Sequence, residues 1–154
     1  MPIRKGDKAI GFTLPAKPGE TIDLAHHLGK DRIVLLFFPL AFSRVCTEEM
    51  CGIRDSWGEW ETLDAKVFGI SVDSPFVTDR FGEEMKIPFP ILSDFNKEVA
   101  AQYGALHEEI MGLKGVAKRA AFVIDPTGTV IYDWVSDDPS VMPDFDEIKA
   151  ALAG

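Results

Sequence analysis

One continuous apolar run, IVLLFF at residues 33–38, constrains the fold of this chain more than any other stretch. The run is short, rich in Ile, Val and Phe, and is ended by Pro39. These features are typical of a β-strand that is buried on both faces, as in a parallel sheet covered by helices. The stretch KVFGISV at residues 66–72 has the same character and predicts a second strand of this kind.

A helix is predicted between these strands, from about residue 46 to residue 63, because apolar side chains recur there at intervals of three and four. These side chains are Val45, Met50, Ile53, Trp57, Trp60 and Leu63. Residues 119–124 and 129–135 flank the turn sequence DPTG and predict a β-hairpin. The other predicted elements are strands over 9–14 and 89–92, a turn over 15–20, a strand or helical turn over 21–28, and helices over 75–85, 96–103 and 144–153.

The order of these elements predicts an α/β fold. Strands that alternate with helices indicate a central β-sheet with helices on both faces. The late hairpin adds antiparallel pairing, so the sheet is mixed. This is the thioredoxin-like pattern, here with a strand or hairpin extension at the N-terminus. For 154 residues we expect one domain, spanning residues 1–154.

Charge and hydropathy exclude several classes of partner. The net charge of −9 argues against a nucleic-acid backbone as a partner. No apolar stretch approaches the roughly 20 residues that span a bilayer, so no membrane partner is expected. The N-terminal sequence MPIRKGDKAIGF has basic residues but no apolar signal core after them. We therefore expect a cytoplasmic protein.

Both cysteines of the chain, Cys46 and Cys51, lie shortly after the first apolar run. In a cytoplasmic protein such a close pair is more often catalytic, redox-sensing or metal-binding than structural. Cys46 lies where a buried strand passes into a helix, whose first turn has unpaired N–H groups and a partial positive charge. Both favour the thiolate, which is the nucleophilic form. Ser43 is a candidate for the helix N-cap, or for a hydrogen bond to the sulfur or an incoming oxygen.

Three alternatives to a reactive pair are a buried apolar thiol, a metal site and a static disulfide. Zinc sites favour closely paired Cys or His ligands, and the adjacent His26 and His27 with a distant His107 do not supply them. In an unbroken helix, residues five apart have Cα atoms roughly 8–9 Å apart. A disulfide rarely tolerates more than about 7 Å, so a bond between Cys46 and Cys51 requires local unwinding. The C-x-x-C motif of a disulfide oxidoreductase is missing from the sequence.

The segment that contains the cysteines resembles the signature of a known family. The segment PLAFSRVC at residues 39–46 resembles the peroxiredoxin signature P-x-x-x-T/S-x-x-C, with Ser43 where Thr is commoner, and the following TEE continues it. Arg119, in KRAAFVID, resembles the distal active-site arginine of that family. Similar stretches at residues 9–14, 70–74, 92–94 and 125–128 extend the resemblance over almost the whole chain. The position of Cys51 is similar to the bacterioferritin-comigratory (peroxiredoxin Q) branch, while other features resemble archaeal and one-cysteine relatives.

The resemblance implies a thiol peroxidase for hydrogen peroxide and organic hydroperoxides, with a role for each of five residues. Cys46 would attack the peroxide as a thiolate and become a sulfenic acid. Arg119 would lower the pKa of Cys46 and stabilise charge on the parting oxygens. Ser43 would hydrogen-bond the peroxide, and Pro39 would shield the thiolate from water. Glu49, one helical turn after Cys46, either holds Arg119 or another cation, or is a solvated helix residue.

The second cysteine leaves alternative mechanisms open. Cys51 would condense with the sulfenic acid of Cys46 within the same chain, and Gly52, a poor helix former, would ease the unwinding that this requires. If Cys51 is only a free thiol, an external thiol resolves Cys46 instead. A third alternative is a redox-switched binding or holdase protein on the same fold, which exposes an apolar helix face bearing Trp57 and Trp60.

The implied partners follow from the resemblance too. A thioredoxin-like protein is the expected electron donor, and neither an organic cofactor nor a metal is implied. The protein is expected to be a monomer, or a homodimer through the surface around the active-site loop, where Phe42 is an apolar residue.

Overall fold

A mixed β-sheet forms the centre of the protein, and the computed structural model describes residues 2–154. In chain order the strands are β1 (Thr13–Lys17), β2 (Glu20–Asp23), β3 (Arg32–Phe37), β4 (Ala65–Ser71), β5 (Ile91–Ser93), β6 (Glu109–Ile110), β7 (Leu113–Lys114), β8 (Arg119–Ile124) and β9 (Val130–Ser136). The helices are α1 (Arg44–Asp55), α2 (Trp57–Thr62), α3 (Pro75–Glu84), α4 (Glu98–Gln102) and α5 (Phe145–Ala153). None of the helices in this part of the chain has both the length and the apolar surface that a membrane crossing requires.

The central sheet has the strand order β5-β4-β3-β8-β9. Its middle strand, β3, is parallel to β4 and antiparallel to β8, so the predicted mixed, thioredoxin-like sheet is confirmed. The register pairs Phe37 with Ile70 on one side and with Ala120 on the other. Because β8 runs antiparallel, its first residue, Arg119, lies beyond the carboxyl end of β3, which is where the cysteine segment begins.

The predicted burial of β3 on both faces is confirmed. Ile33, Leu35 and Phe37 pack into one core with the N-terminal segment and α4. The alternate side chains, from Val34 to Phe38, pack into a second core under α1, α2 and α5. Burying each such side chain stabilises the fold by roughly 1.5–3 kcal/mol. A shift of one residue in the pairing of β3 would move each set of side chains to the opposite face of the sheet. The register of β3, which sets the position of the segment that follows it, is therefore strongly specified.

The single helix predicted over residues 46–63 is wrong, because the chain forms two helices with a break at Ser56. The backbone of Ser56 leaves the helical region, with φ −116° and ψ 25°. Its Oγ donates to the carbonyl of Gly52 at 3.1 Å. A serine hydroxyl competes in this way with the helical backbone hydrogen bonds. Trp57 and Trp60 therefore lie on α2, and not on the helix that carries the cysteines.

The N-terminal region forms the predicted extension as an antiparallel hairpin of β1 and β2, but the strand predicted over residues 9–14 is misplaced. β1 begins only at Thr13 and includes Pro15, a residue predicted to lie in the turn. Pro15 pairs with Thr21 in a two-stranded sheet, where a missing N–H is tolerated at an edge. Residues 21–28 contain both predicted alternatives, the end of β2 and a 3₁₀ turn at Leu24–His26.

A second hairpin, β6–β7, lies where the sequence predicts no element. Its loop consists of Met111 and Gly112, whose φ angles are +53° and +77°. Positive φ at both loop positions is the geometry of a type I′ hairpin turn. The remaining predicted strands and helices are present with their ends shifted by at most a few residues.

Candidate active site

Cys46 lies in the first turn of α1, at the carboxyl end of β3. The strand ends at Phe37, and α1 begins at Arg44 with Ser43 as its N-cap residue. The Cys46 side chain is fully buried and its thiol is not in a disulfide. Cys46 is the third residue of α1, in the turn whose backbone N–H groups have no acceptor within the helix.

The guanidinium of Arg119 contacts the sulfur of Cys46. Arg119 Nη2 donates to Cys46 Sγ at a distance of 3.1 Å. The Arg119 side chain is 1% exposed, so solvent does not screen this contact. A fixed positive charge beside a buried sulfur favours the thiolate over the thiol. The structure thus brings together Arg119 and Cys46, the two residues that the resemblance proposes as distal arginine and reactive cysteine.

Two other groups fix the orientation of Arg119. The carbonyl oxygen of Pro139 accepts hydrogen bonds from Nε at 3.1 Å and from Nη2 at 2.9 Å. Glu49 Oε1 accepts from Nη1 at 2.6 Å. Burial acts to lower the pKa of Arg119, but the negative charges of Glu49 and Cys46 raise it above its ordinary value. The guanidinium is therefore a permanent positive charge in this site.

Glu49 is fully buried, so the alternative of a solvated helix residue is wrong. The carboxylate lies one helical turn after Cys46 and contacts the same guanidinium. Burial raises the pKa of Glu49 to about 7, although the charge and hydrogen bond of Arg119 act in the opposite direction. Among residues 2–154, Glu49 Oε2 has no hydrogen-bond partner. A buried carboxylate oxygen without a hydrogen-bond partner disfavours the charged form of Glu49.

Ser43 is placed beside the site, but it does not cap α1 through its side chain as the sequence suggested. Its Oγ donates to the carbonyl of Leu40 at 2.8 Å, and no side-chain capping bond is formed. Instead its carbonyl oxygen accepts the N–H of Thr47 at 2.9 Å. Because its proton is used by Leu40, the Ser43 hydroxyl oxygen retains its capacity to accept a hydrogen bond.

A pocket of about 220 Å³ opens at the end of β3 and leads to Arg119. Its lining consists of Pro39, Leu40, Ser43, Arg44, Val45, Met111, Arg119, Pro139 and Ser140. Arg119 joins this pocket to the buried sulfur, because it lines the pocket and contacts Cys46. A larger cavity of about 670 Å³, beside β1 and the start of α3, contains neither cysteine and not Arg119.

Cys51 lies on the same helix as Cys46 and is half-buried. α1 is continuous from Arg44 to Asp55, so the two cysteines are five residues apart in an intact helix. The helical separation of roughly 8–9 Å between their Cα atoms is too long for a disulfide. Arg54 Nη1 donates to the carbonyl of Met85 at 2.6 Å and fixes the C-terminal part of α1. Any unwinding that joins the cysteines is therefore expected in the part of α1 that precedes Arg54.

Comparison with known proteins identifies the family of this chain. The sequence model of the AhpC/TSA family matches residues 5–133. Peroxiredoxin Bcp of Escherichia coli is 36% identical over 140 residues, which cover 89% of this chain and 87% of that protein. The chain is a peroxiredoxin of the AhpC/TSA family. It is therefore an enzyme, a thiol peroxidase of the oxidoreductase class.

Other relatives of this peroxiredoxin match most of the chain. A chloroplastic 2-cysteine peroxiredoxin of Chattonella marina is 35% identical over 147 residues, covering 89% of this chain and 73% of that protein. The crystal structure of peroxidoxin BcpB from Mycobacterium tuberculosis superposes with a TM-score of 0.85 at 32% identity. That superposition covers 98% of this chain and 97% of the other.

Sequence reasoning missed two groups of the peroxiredoxin site. Asp73 Oδ2 accepts the backbone N–H of Ala41 and the hydroxyl of Ser71, each at 2.7 Å, and so anchors the loop between β3 and α1. Asp73 lies two residues after the end of the parallel strand β4, and that position at the carboxyl edge of a sheet was an available signal. The second group is the main-chain carbonyl of Pro139. Every residue has such a carbonyl, so the residue type does not indicate its role.

The loop between β3 and α1 has one strained position, Phe42, with φ +68°. Its ring packs edge-on against Phe81 of α3 with centroids 5.2 Å apart, and 45% of the side chain stays exposed. The contact of the Phe42 ring with Phe81 and the hydrogen bond from the preceding residue, Ala41, to Asp73 hold this conformation.

Proposed function

We propose that this peroxiredoxin reduces hydrogen peroxide and organic hydroperoxides at Cys46, and that Cys51 resolves the oxidised sulfur within the same chain. The observation that carries the proposal is the 3.1 Å contact between Arg119 Nη2 and Cys46 Sγ. A buried sulfur at a helix N-terminus, in contact with a fixed guanidinium, is a thiolate prepared for nucleophilic attack.

In the first step the Cys46 thiolate attacks the terminal oxygen of the hydroperoxide. An S–O bond forms and the O–O bond breaks. The sulfur loses two electrons and becomes a sulfenic acid, while the leaving oxygen takes up a proton and departs as an alcohol, or as water when the substrate is hydrogen peroxide. Negative charge moves from the sulfur to the leaving oxygen, and the Arg119 guanidinium beside the sulfur stabilises it.

The remaining site residues have supporting roles in this step. The free acceptor oxygen of Ser43 would receive a hydrogen bond from the peroxide O–H. Pro39 is buried at the pocket wall and has no N–H, so it would keep water from the thiolate. Glu49 contacts Arg119 and not the sulfur, so we assign it as a positioning residue that holds the guanidinium.

In the second step the Cys51 thiol condenses with the sulfenic acid. An S–S bond forms, the S–O bond breaks and one water leaves. The location of both cysteines on α1 supports this route, since one helix contains both reacting groups. The relative that is named a 2-cysteine peroxiredoxin supports a second cysteine in the cycle. A thioredoxin-like dithiol protein then reduces the disulfide, and its own dithiol is oxidised.

Three further parts of the proposal concern the protein as a whole. Residues 1–154 form one domain around the central sheet, the protein acts in the cytoplasm, and it uses no metal or organic cofactor. Its oligomeric state is either a monomer or a homodimer through the surface around Phe42, and sedimentation equilibrium distinguishes the two.

The test is oxidation of the reduced protein with one equivalent of hydrogen peroxide, followed by blocking of free thiols and mass spectrometry. Wild type should lose two hydrogens and give a peptide that links Cys46 to Cys51. The Cys51→Ser variant should give a sulfenic acid at Cys46, which a dimedone probe traps. The Cys46→Ser variant should not react.

Other outcomes identify the competing functions. Wild type that stops at oxidised Cys46 with Cys51 free would establish resolution by an external thiol. Protein that reacts once and is not turned over by a dithiol donor would be a redox-switched binding or holdase protein. That alternative loses support from the structure, because Trp57 and Trp60 lie on α2 and α1 is the helix that must unwind.

A further inference from the structure

The pocket that leads to Arg119 has an outer wall that comes from a different part of the chain. The other lining residues belong to the loop after β3, the start of α1, the first residue of β8 and the loop that contains Pro139. Met111 alone represents the β6–β7 hairpin among the lining residues. The Met111 side chain is 76% exposed, so most of its apolar surface faces solvent at the mouth of the pocket.

The residue type at this position does not suit the turn. Met111 and Gly112 form a type I′ turn, and its first position has φ +53°. Asn, Asp and Gly are the residues that adopt this conformation readily. A methionine here is strained and exposed, so it does not benefit the fold through backbone conformation or through burial.

The pocket is also too large for hydrogen peroxide alone. A water molecule occupies about 30 Å³, so hydrogen peroxide, with two oxygens, needs roughly twice that volume. The pocket holds about 220 Å³, and most of its wall beyond Arg119 and Ser43 is apolar. This wall offers hydrogen peroxide little to bind, whereas a hydroperoxide with an organic group would fill it and remove apolar surface from water.

We propose that Met111 is a specificity-determining residue, whose side chain packs on the organic group of an alkyl or aryl hydroperoxide while the peroxide oxygens lie at Arg119 and Cys46. The β6–β7 hairpin then selects hydroperoxides with an apolar group over hydrogen peroxide. A flexible thioether is suited to this role, because it adapts to organic groups of different shape. The inference rests on the proposed function, since it concerns the substrate of the same Cys46 site.

The test compares two substrates, cumene hydroperoxide and hydrogen peroxide, by stopped-flow measurement of Cys46 oxidation in full-length protein. The Met111→Ser variant should react about fivefold to tenfold more slowly with cumene hydroperoxide, as expected for loss of a partly buried apolar contact. Its rate constant with hydrogen peroxide should stay within about twofold of wild type, because the two oxygens of hydrogen peroxide, held at Arg119 and Cys46, fill only a small part of the pocket. Met111→Leu should keep the wild-type ratio of the two rate constants.

The matched control is Leu113→Ser in the same hairpin. Leu113 is also exposed, at 43%, but it does not line the pocket, so its substitution should leave the ratio unchanged. An unchanged ratio in Met111→Ser, or an equal change in Leu113→Ser, would overturn the inference and leave the proposed function intact. If wild type reacts with neither substrate, the proposed function fails and the inference with it.

Discussion

Glu49 and Arg119 form an ion pair in the interior, with 2.6 Å between Glu49 Oε1 and Arg119 Nη1, and neither side chain is more than 1% exposed. The same guanidinium donates to the sulfur of Cys46 through Nη2. The planar fork of arginine allows these two contacts at once, which a lysine ammonium does not reproduce with the same geometry. The carboxylate therefore acts on the cysteine through the orientation of Arg119.

The protonation of Glu49 should make stability depend on pH. Burial raises the pKa of Glu49 in the folded protein from 4.5 to about 7, so the folded state binds this proton more tightly than the unfolded state. The stabilising contribution is complete below pH 4.5 and is lost as pH rises to about 7. Relative to Glu49→Gln, wild type should lose about 3 kcal/mol across this window, at about 1.36 kcal/mol per pKa unit. Urea unfolding at several pH values measures this difference.

The control for Glu49→Gln is Glu48→Gln, because Glu48 is the exposed neighbour on the same helix. The difference in unfolding free energy between wild type and Glu48→Gln should not change over the same pH range. A positioning role also predicts that Glu49→Gln changes the pH profile of Cys46 oxidation, and Glu48→Gln does not. Parallel curves of unfolding free energy against pH for wild type and Glu49→Gln would contradict the raised pKa of Glu49. An unchanged pH profile of Cys46 oxidation in Glu49→Gln would contradict its positioning role.

Arg119→Lys should lower the rate of Cys46 oxidation by about 100-fold, the loss typical of removing one fixed donor from developing charge. The ammonium cannot contact Cys46, Glu49 and the Pro139 carbonyl together. Stopped-flow measurement of Cys46 oxidation in the Cys51→Ser background gives this rate. Lys118→Met is the control, since Lys118 precedes Arg119 in the chain and pairs with the exposed Asp137 instead. A Lys118→Met effect as large as that of Arg119→Lys would indicate general disruption.

Unwinding of α1 should control the second step of the cycle. Gly52 follows Cys51 directly, and a methyl group added there would meet no atom within 4 Å. Gly52→Ala should therefore stabilise the helix by up to about 1 kcal/mol without a clash. The rate of disulfide formation should fall about fivefold, while the rate of sulfenic acid formation stays unchanged. Two-phase stopped-flow fluorescence separates these rates.

Gly58→Ala is a matched control for this helix substitution. Gly58 lies in α2, and an added methyl group there is also free of contacts within 4 Å. It should stabilise a helix that does not unwind and should leave both rates as in wild type. Equal slowing by the two substitutions would show that overall stability, rather than opening of α1, limits resolution.

The sequence was sufficient where a pattern is local and strong. The apolar run of β3 predicted the central strand, because a short, continuous apolar run is typical of a strand buried on both faces. The break at Ser56 was missed, since the apolar spacing continues across it and no apolar pattern marks the hydrogen bonds of Ser56 to the end of α1. The contact of Cys46 with Arg119 joins residues far apart in sequence, so only the resemblance indicated it. The Met111 hairpin was missed because its strands are too short to form a pattern.

Asp73 should be required for the position of the loop that precedes Cys46. Its carboxylate accepts the backbone N–H of Ala41 at 2.7 Å, and hydrogen bonds to charged groups contribute roughly 1.5–3 kcal/mol. Asp73→Ala should therefore slow Cys46 oxidation about tenfold or more, because the strained Phe42 beside Ala41 loses its restraint. Ser71→Ala is the comparison: it removes the other hydrogen bond to the Asp73 carboxylate but keeps the one from Ala41. A loss of rate in Asp73→Ala alone would show that the hydrogen bond from Ala41 is responsible. Equal losses in both variants would contradict this and attribute the loss to the contact between Ser71 and Asp73.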